Sequence, residues 1–337
     1  MTAVVGPEAG TAQVGEVRTA ERTFARRVRD VLAVGRPAFW PVSLLPYYVG
    51  ILLATHRLIP PVELWPQLLA GAVVIGPLLW LAVLAINDAY DLTGDLLNPR
   101  KSKSPLLDGR ISLLAARQIA TIAGAAALVV SLYVGLAFAL GVLVALALGW
   151  SYSVPPVRLK TRAGFDVAVN SLALGAFGPI AGWAAVRPVS GWSSPLADWA
   201  ASPNWANLDS LGGFPWAMAI QGTLVAVGLY LPTTLADLEA DRAAGYRTIA
   251  VRLGASSTYR LGFVAWIAAA GLSVVLAAVD HVIPREMLPL EIVMVPVLVA
   301  AYRRLIGPMQ TFRGVVVLAS LFLCPCGAFA LTYTGVI

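Results

Sequence analysis

The sequence has few of the residues that build disulfide frameworks, histidine-based sites or solvated surfaces. Of its 337 residues, two are cysteine, two are histidine, and 12% are charged, whereas a soluble globular domain carries about 25% charged residues. Cys324 and Cys326 are too close together, and too deep in the last apolar segment, to indicate a disulfide framework. We interpret them as buried small side chains rather than a Cys-x-Cys metal site, and we assign no chemistry to His56 or His281.

Apolar residues dominate the composition. They make up 58% of the chain, and the mean hydropathy is +0.77. A helix needs about 20 apolar residues to cross a bilayer, and lipid leaves the backbone few alternatives to helix. The sequence therefore predicts an all-α, polytopic membrane protein. About nine transmembrane helices are expected, near residues 38–56, 67–88, 114–133, 135–152, 165–186, 214–236, 258–280, 287–306 and 314–336.

Positive charge is distributed unevenly between alternate loops. Cytoplasmic loops retain Lys and Arg. With a cytoplasmic N-terminus, all but three of the 24 Lys and Arg residues lie on that side; the exceptions are Arg57, Arg187 and Arg285. The pattern predicts an integral, multi-pass protein with a cytoplasmic N-terminus and an outer C-terminus. The net charge of +6 then reflects topology and contact with anionic membrane lipids, so no nucleic-acid partner is expected.

The first 35 residues differ from the rest of the chain. They are polar and rich in arginine, and no apolar core follows closely enough to form a secretory signal. We expect residues 1–35 to form a flexible start and an interfacial helix. Residues 36–337 are expected to form a single transmembrane domain.

Acidic residues gather at the end of an uncharged segment, in "INDAYDLTGD", residues 86–95. Spacings of three or four residues place Asn87, Asp88, Asp91 and Asp95 along one side of a helix. An unpaired aspartate costs about 2.5 to 3.5 kcal/mol in the middle of a membrane, and neighbouring carboxylates repel one another. A cation is therefore expected among them.

A second acidic segment, "DLEADRAAGYRT", lies at a predicted helix end on the same side of the membrane, and a cation is expected near its carboxylates as well. Asp237 and Asp241 are four residues apart, and Arg242 and Arg247 follow. Carboxylate oxygens suit Mg²⁺, which binds phosphate oxygens alongside one or two carboxylates, while Arg and Lys donate to phosphates. The two segments predict a site for a diphosphate bridged by Mg²⁺.

These segments carry a resemblance to a known family. "NDAYDLTGD" and "DLEADRAAGYRT" are similar to the two aspartate motifs of the UbiA superfamily of intramembrane prenyltransferases. "YSVPPVRLK" resembles the loop between the motifs, and "GRPAFWPVSLLPYYVG" resembles the usual start of the domain. The resemblance implies a helical bundle around a central cavity that opens to the cytoplasmic side and to lipid. It also implies Mg²⁺-dependent transfer of an isoprenyl group from an isoprenyl diphosphate to a lipophilic acceptor.

The same resemblance implies roles for particular residues. The residues expected to bind metal are Asp88, Asp91, Asp95, Asp237 and Asp241, and four of these, Asp88, Asp91, Asp237 and Asp241, are expected to be catalytic. The residues expected to bind the substrate are Asn87, Arg100, Lys103, Tyr152, Arg158, Lys160 and Arg247. The acceptor stays open between an aromatic or quinone precursor, a chlorin and a carotenoid.

Two other functions compete with isoprenyl transfer. A terpene cyclase on the same scaffold would need no acceptor, because a double bond of the substrate would capture the cation. A cation-coupled transporter would also carry acidic residues in the membrane. Transporters place ionisable residues near the midplane, whereas both acidic segments here lie at predicted cytoplasmic helix ends, which favours an enzyme.

Overall fold

The computed structural model describes residues 24–96, 104–186, 213–306 and 312–337. Within these ranges the chain is helical, and its one isolated β-bridge pairs Arg162 with Arg247. The helices are α1 (Phe24–Gly35), α2 (Trp40–Thr55), α3 (Trp65–Val73), α4 (Leu79–Tyr90), α5 (Leu92–Leu96), α6 (Leu113–Val134), α7 (Leu136–Ser153), α8 (Phe165–Leu172), α9 (Gly178–Val186), α10 (Trp216–Leu235), α11 (Leu238–Ala243), α12 (Ile249–Ala278), α13 (Leu288–Leu305) and α14 (Phe312–Tyr333). Two π-helical turns, Val74–Leu78 and Ala173–Phe177, join α3 to α4 and α8 to α9.

The prediction of an all-α, polytopic membrane protein is confirmed. Eight segments of the described residues are long and apolar enough to cross a membrane: Arg26–Thr55, Val62–Tyr90, Leu113–Val134, Leu136–Ser153, Phe165–Val186, Trp216–Leu235, Ile249–Ala278 and Phe312–Tyr333. The segment predicted near 287–306 is also helical, as α13, but it contains Glu291, Arg303 and Arg304. These three charges set α13 apart from the eight more apolar segments, and with α13 the described helices account for the nine that the sequence predicts.

Local sequence signals account for several helix ends. Ser112 begins α6 as an N-cap, because its side chain accepts a hydrogen bond from the backbone N–H of Ala115 at 3.1 Å. Gly135 separates α6 from α7 within a nearly continuous apolar region. Helix α7 ends before Pro155 and Pro156, since a proline restricts the residue before it and cannot donate to the preceding turn.

Helices α2 and α9 pack backbone against backbone. A Cβ atom built on Gly50 would collide with the carbonyl group of Pro179, and one on Gly182 would collide with the carbonyl oxygen of Tyr47. Small residues allow this approach, which is common where transmembrane helices associate. The contact fixes the first span of the chain against the fifth.

Gly50→Ala is expected to destabilise the protein by at least about 2 kcal/mol, because the added methyl group meets rigid backbone rather than a flexible side chain. The measurement is thermal unfolding in detergent. Gly271→Ala in α12 is the matched control, because a Cβ atom there meets nothing within 4 Å, so its melting temperature should stay the same or rise slightly. Equal melting temperatures for the two variants would contradict the close packing of α2 on α9.

Each acidic segment lies at a break between a long helix and a short one. Helix α4 ends at Tyr90, Asp91 leaves the helical conformation with φ −114° and ψ 10°, and α5 follows. Helix α10 ends at Leu235, and Asp237 precedes α11. Each acidic motif therefore spans a helix break, although the sequence spacing treated its residues as lying along one side of a helix.

Candidate active site

The two acidic segments line one cavity, with a volume of about 190 Å³. Residues from six separate parts of the described chain contribute to its wall: Asn87, Asp91, Gly94, Asp95, Tyr152, Lys160, Asp166, Tyr230, Thr234, Asp237, Ala240, Asp241, Tyr246 and Thr248. Among these are seven of the residues that the sequence selected. The cavity is therefore the candidate active site.

The side chains of the first acidic segment point in two directions. Asn87, Asp91 and Asp95 line the cavity, as expected for residues four apart on a helical path. Asp88 follows Asn87 by one residue, which rotates it by about 100°, and its Oδ1 accepts a hydrogen bond from Nη2 of Arg36 at 2.9 Å. The carboxylate of Asp88 is buried, but it faces this arginine and is not among the described residues that line the cavity.

Lys160 is a cation among the first set of carboxylates. It lies in a short 3-10 turn, Leu159–Thr161, that follows the two prolines, and it is 7% exposed. Its Nζ is 3.2 Å from Oδ1 of Asp91 and donates to Oδ1 of Asn87 at 3.2 Å. The structure thus places positive charge where the sequence required it.

A chain of hydrogen bonds links Asp91 to the loop that follows α11. Tyr246 donates its hydroxyl proton to Oδ1 of Asp91 at 2.6 Å and accepts from Nη2 of Arg158 at 2.9 Å. Arg158 also donates to the carbonyl oxygen of Tyr90 at 3.1 Å and lies 3.4 Å from Asp91. Burial and the neighbouring carboxylate raise the pKa of Tyr246, so its hydroxyl group stays protonated and can donate.

The second acidic segment continues a row of polar side chains along α10. Tyr230, Thr234, Asp237 and Asp241 recur at intervals of four, three and four residues, and all line the cavity. Asp241 accepts a hydrogen bond from the hydroxyl group of Thr248 at 3.0 Å. Burial raises the pKa of Asp241 to about 6. A cation in the cavity would favour its ionised form.

Two tyrosines meet on the cavity wall. The hydroxyl oxygens of Tyr152 and Tyr230 are 3.3 Å apart, and Nδ2 of Asn170 donates to Tyr230 at 3.0 Å. Asp166 accepts from the backbone N–H groups of Gly164 and Ile249, each at 2.8 Å. Asp166 therefore joins the start of α8 to the start of α12 at the cavity wall.

The remaining substrate-binding predictions have different outcomes. Arg100 and Lys103 lie outside the described residues. Arg247 is exposed and lines a neighbouring groove rather than the acidic cavity. The sequence interpretation missed Tyr246, Tyr230, Thr234 and Thr248 as cavity residues. The spacing of Tyr230 and Thr234 from Asp237 was visible in the sequence, whereas nothing in the spacing distinguished Tyr246.

The cavity is strongly acidic. Five of its lining side chains are aspartates and one is a lysine. Within the described residues no three acidic, His or Cys side chains converge closely enough to hold one ion by themselves. Mg²⁺ normally takes one or two carboxylates and completes its shell with water and phosphate oxygens. The donor set therefore fits magnesium bound together with a phosphate group.

The fold and the cavity define a multi-pass membrane protein whose acidic site suits a phosphate group and a divalent cation. The UbiA prenyltransferase family matches residues 43–307. The chain belongs to this family, and it is a prenyltransferase, as the sequence resemblance indicated.

Similar proteins include enzymes with different names. The chain is 28% identical to the lycopene elongase/hydratase of Haloferax volcanii over 83% of this chain and 82% of that protein. It is 27% identical to the bacteriochlorophyll synthase 33 kDa chain of Rhodobacter capsulatus, over 66% of each chain. A UbiA homologue from Archaeoglobus fulgidus, solved with GPP and Mg²⁺, has the same fold, with a TM-score of 0.67 and 20% identity over 91% of this chain and 99% of that one.

Proposed function

We propose that the protein transfers an isoprenyl group from an isoprenyl diphosphate to a lipophilic acceptor in the membrane, and that the reaction requires Mg²⁺. The observation that carries this proposal is the charge of the cavity, with five aspartates and one lysine on its wall. An anionic diphosphate would be repelled there unless a divalent cation accompanied it. The Archaeoglobus fulgidus homologue that shares the fold was solved with GPP and Mg²⁺, which supports the same pairing here.

The cavity residues have separate roles in this proposal. Asp91 and Asp95 on one side, and Asp237 and Asp241 on the other, would each supply one or two carboxylate ligands to Mg²⁺, with water and diphosphate oxygens completing its shell. When bound, the metal would neutralise charge on the leaving diphosphate. Lys160 and Arg158 would donate hydrogen bonds to the diphosphate oxygens. Both cationic groups contact Asp91, so they lie close to the place where Mg²⁺ and the diphosphate would bind. The carbon–oxygen bond of the allylic carbon breaks, its electron pair leaves with the diphosphate, and the acceptor supplies the electrons of the new bond.

Asp88 is proposed to hold the end of α4 in place rather than to bind metal. Its carboxylate forms an ion pair with Arg36, which precedes α2. This pair fixes the direction from which Asn87 and Asp91 enter the cavity. Asp88 would therefore affect catalysis by positioning its neighbours.

We infer that the acceptor is an apolar polyene of the lycopene kind. The similarity to the Haloferax volcanii lycopene elongase/hydratase extends over 83% of this chain, compared with 66% for the bacteriochlorophyll synthase chain. A carbon–carbon double bond of such an acceptor supplies the electron pair that captures the allylic cation, and the resulting cation then loses a proton or takes up water. The apolar acceptor would shield the first cation from water until it reacts, and water would reach only the second cation.

The test is incubation of the purified protein in lipid nanodiscs with labelled isoprenyl diphosphates, followed by chromatography of the products. Prenylated lycopene should form only when both Mg²⁺ and lycopene are present, and excess EDTA should stop diphosphate release. Turnover that survives EDTA would contradict the metal requirement. Prenylation of a chlorin but not of lycopene would overturn the acceptor. A cyclised hydrocarbon formed without acceptor would establish the cyclase alternative.

We further propose that the N-terminus and the active site face the cytoplasm and that the C-terminus lies outside, from the distribution of Lys and Arg. Glu239, with its side chain 81% exposed, follows the sixth span, and Ile59, 71% exposed, follows the first. In a background with Cys324→Ala and Cys326→Ala, Glu239→Cys and Ile59→Cys should react with an impermeant thiol reagent from opposite sides of sealed vesicles. Reaction of both from one side would refute this topology.

A further inference from the structure

A basic groove lies beside the acidic cavity and has a volume of about 630 Å³. Its lining, all within the described chain, consists of Thr161, Arg162, Ala163, Phe165, Arg247, Val251 and Arg252. Three of these seven residues are arginines and none is acidic. The groove therefore has the opposite charge to the cavity, and it attracts anions without any metal.

Hydrogen bonds hold the two walls of the groove together. The backbone N–H of Arg247 donates to the carbonyl oxygen of Thr161 at 3.1 Å, and this bond pairs Arg162 with Arg247 across the groove. The backbone N–H of Ile249 donates to the carboxylate of Asp166 at 2.8 Å. This second hydrogen bond joins the same two segments, a few residues further along each of them. The arginines thus extend from backbone that is already fixed in place.

Two of the guanidinium groups have no partner among the described residues. Arg247 and Arg252 are exposed, and within the described residues neither side chain makes a hydrogen bond or an ion pair. Arg162 donates from Nη2 to the carbonyl oxygen of Pro156 at 3.2 Å, which leaves its other N–H groups available. Arg110, in contrast, pairs with two aspartates. Free guanidinium groups on facing walls suit a phosphate, which they bind through paired hydrogen bonds.

The groove lies where two membrane spans begin. Phe165 is the first residue of the span Phe165–Val186, and Ile249 is the first of Ile249–Ala278. Phe165 is 54% exposed and Leu253 is 44% exposed, so exposed apolar side chains lie beside the arginines where these two spans begin. A soluble phosphate would leave these side chains in water, whereas the acyl chains of a lipid would cover them.

We infer that Arg162, Arg247 and Arg252 form a binding site for the headgroup phosphate of an anionic phospholipid. The site is separate from the acidic cavity, and it gives Arg247 a different ligand from the diphosphate that the sequence resemblance implied. Anionic lipids are attracted to basic residues at the cytoplasmic surface, but the groove adds a defined geometry to this general attraction.

The experiment measures lipid retention rather than turnover. The purified protein is exchanged into mixed micelles of phosphatidylglycerol and phosphatidylcholine, and native mass spectrometry records which lipid stays bound. The parent should retain phosphatidylglycerol, and the double variant Arg247→Ala/Arg252→Ala should retain about 10- to 30-fold less. The matched control, Arg304→Ala/Arg313→Ala, removes two exposed arginines from the ends of other helices and should retain as much as the parent.

Several results would overturn the inference. Equal loss of phosphatidylglycerol from both double variants would show that only total charge matters. Displacement of phosphatidylglycerol by inorganic phosphate at low millimolar concentration would show that the groove binds free phosphate instead of lipid. If the double variant Arg247→Ala/Arg252→Ala fails to fold, Arg252→Gln replaces it. Phosphatidylglycerol retention should then fall about three- to five-fold, the contribution of one arginine. Unchanged retention in Arg252→Gln would count against the site.

Discussion

Replacing Asp91 with asparagine is expected to reduce isoprenyl diphosphate turnover by about 100- to 1,000-fold, the usual cost of removing one preorganised electrostatic group from an active site. The amide keeps the volume of the side chain but removes its charge. Asp91 contacts Lys160, Arg158 and Tyr246. The substitution therefore also removes the negative charge with which these three side chains interact. The measurement is the rate of diphosphate release at saturating Mg²⁺.

The matched control is Asp280→Asn. Asp280 is exposed, far along the chain from both acidic motifs, and it adopts a left-handed conformation with φ 55°, which asparagine also tolerates. Its turnover should equal that of the parent. Asp91→Asn/Asp237→Asn should be little worse than either single variant, because residues that act on one ligand as a unit are disabled together. Turnover near the parent value in Asp91→Asn would remove Asp91 from the mechanism.

Lys160→Met is expected to reduce the free energy of unfolding by about 3 kcal/mol in the presence of EDTA. Removing one partner of a buried ion pair leaves the other charge uncompensated, at a typical cost of 3 to 5 kcal/mol. We expect the lower value because Arg158 and Tyr246 still contact Asp91. Turnover should also fall, since the cavity loses a cationic donor for the diphosphate.

A double-mutant cycle separates the two effects of Lys160. Adding Asp91→Asn to Lys160→Met should restore part of the stability, because the uncompensated carboxylate is gone, while activity stays low. Arg242→Met is the matched control: Arg242 pairs with Glu239, and both side chains are exposed, so its loss should change stability by less than about 1 kcal/mol. Additive losses of stability in the cycle would show that Lys160 and Asp91 do not stabilise each other.

The membrane helices and the two acidic motifs could be predicted because each depends on local information. An apolar run of sufficient length has few alternatives to helix in lipid, and a group of aspartates at its end is visible from the sequence. The direction of Asp88 could not be predicted in this way. It depends on Arg36, which lies 52 residues earlier in the chain. Helical geometry shows only that the neighbouring side chains of Asn87 and Asp88 point in different directions, and not which of the two faces the cavity.

The residues that were missed depend on longer-range contacts. Tyr246 reaches Asp91 across 155 residues of sequence, and the loop that carries it gives no periodic signal. Arg247 was grouped with the diphosphate ligands because it follows the second motif, but a backbone bridge to Arg162 fixes it on another surface. Helix α13 lies where the sequence predicted the eighth of about nine spans, although two of its charges, Arg303 and Arg304, lie in its last turn.

The close contact of Gly50 and Gly182 affects the order in which the protein assembles during translation. Helix α2 is synthesised early, but the helix against which its glycine packs, α9, is completed more than 130 residues later. Until then, the face of α2 that carries Gly50 lies against lipid or against other chains emerging from the insertion machinery. Correct assembly of the first half of the protein therefore depends on the fifth span, and truncations that end before α9 should leave α2 without its native partner.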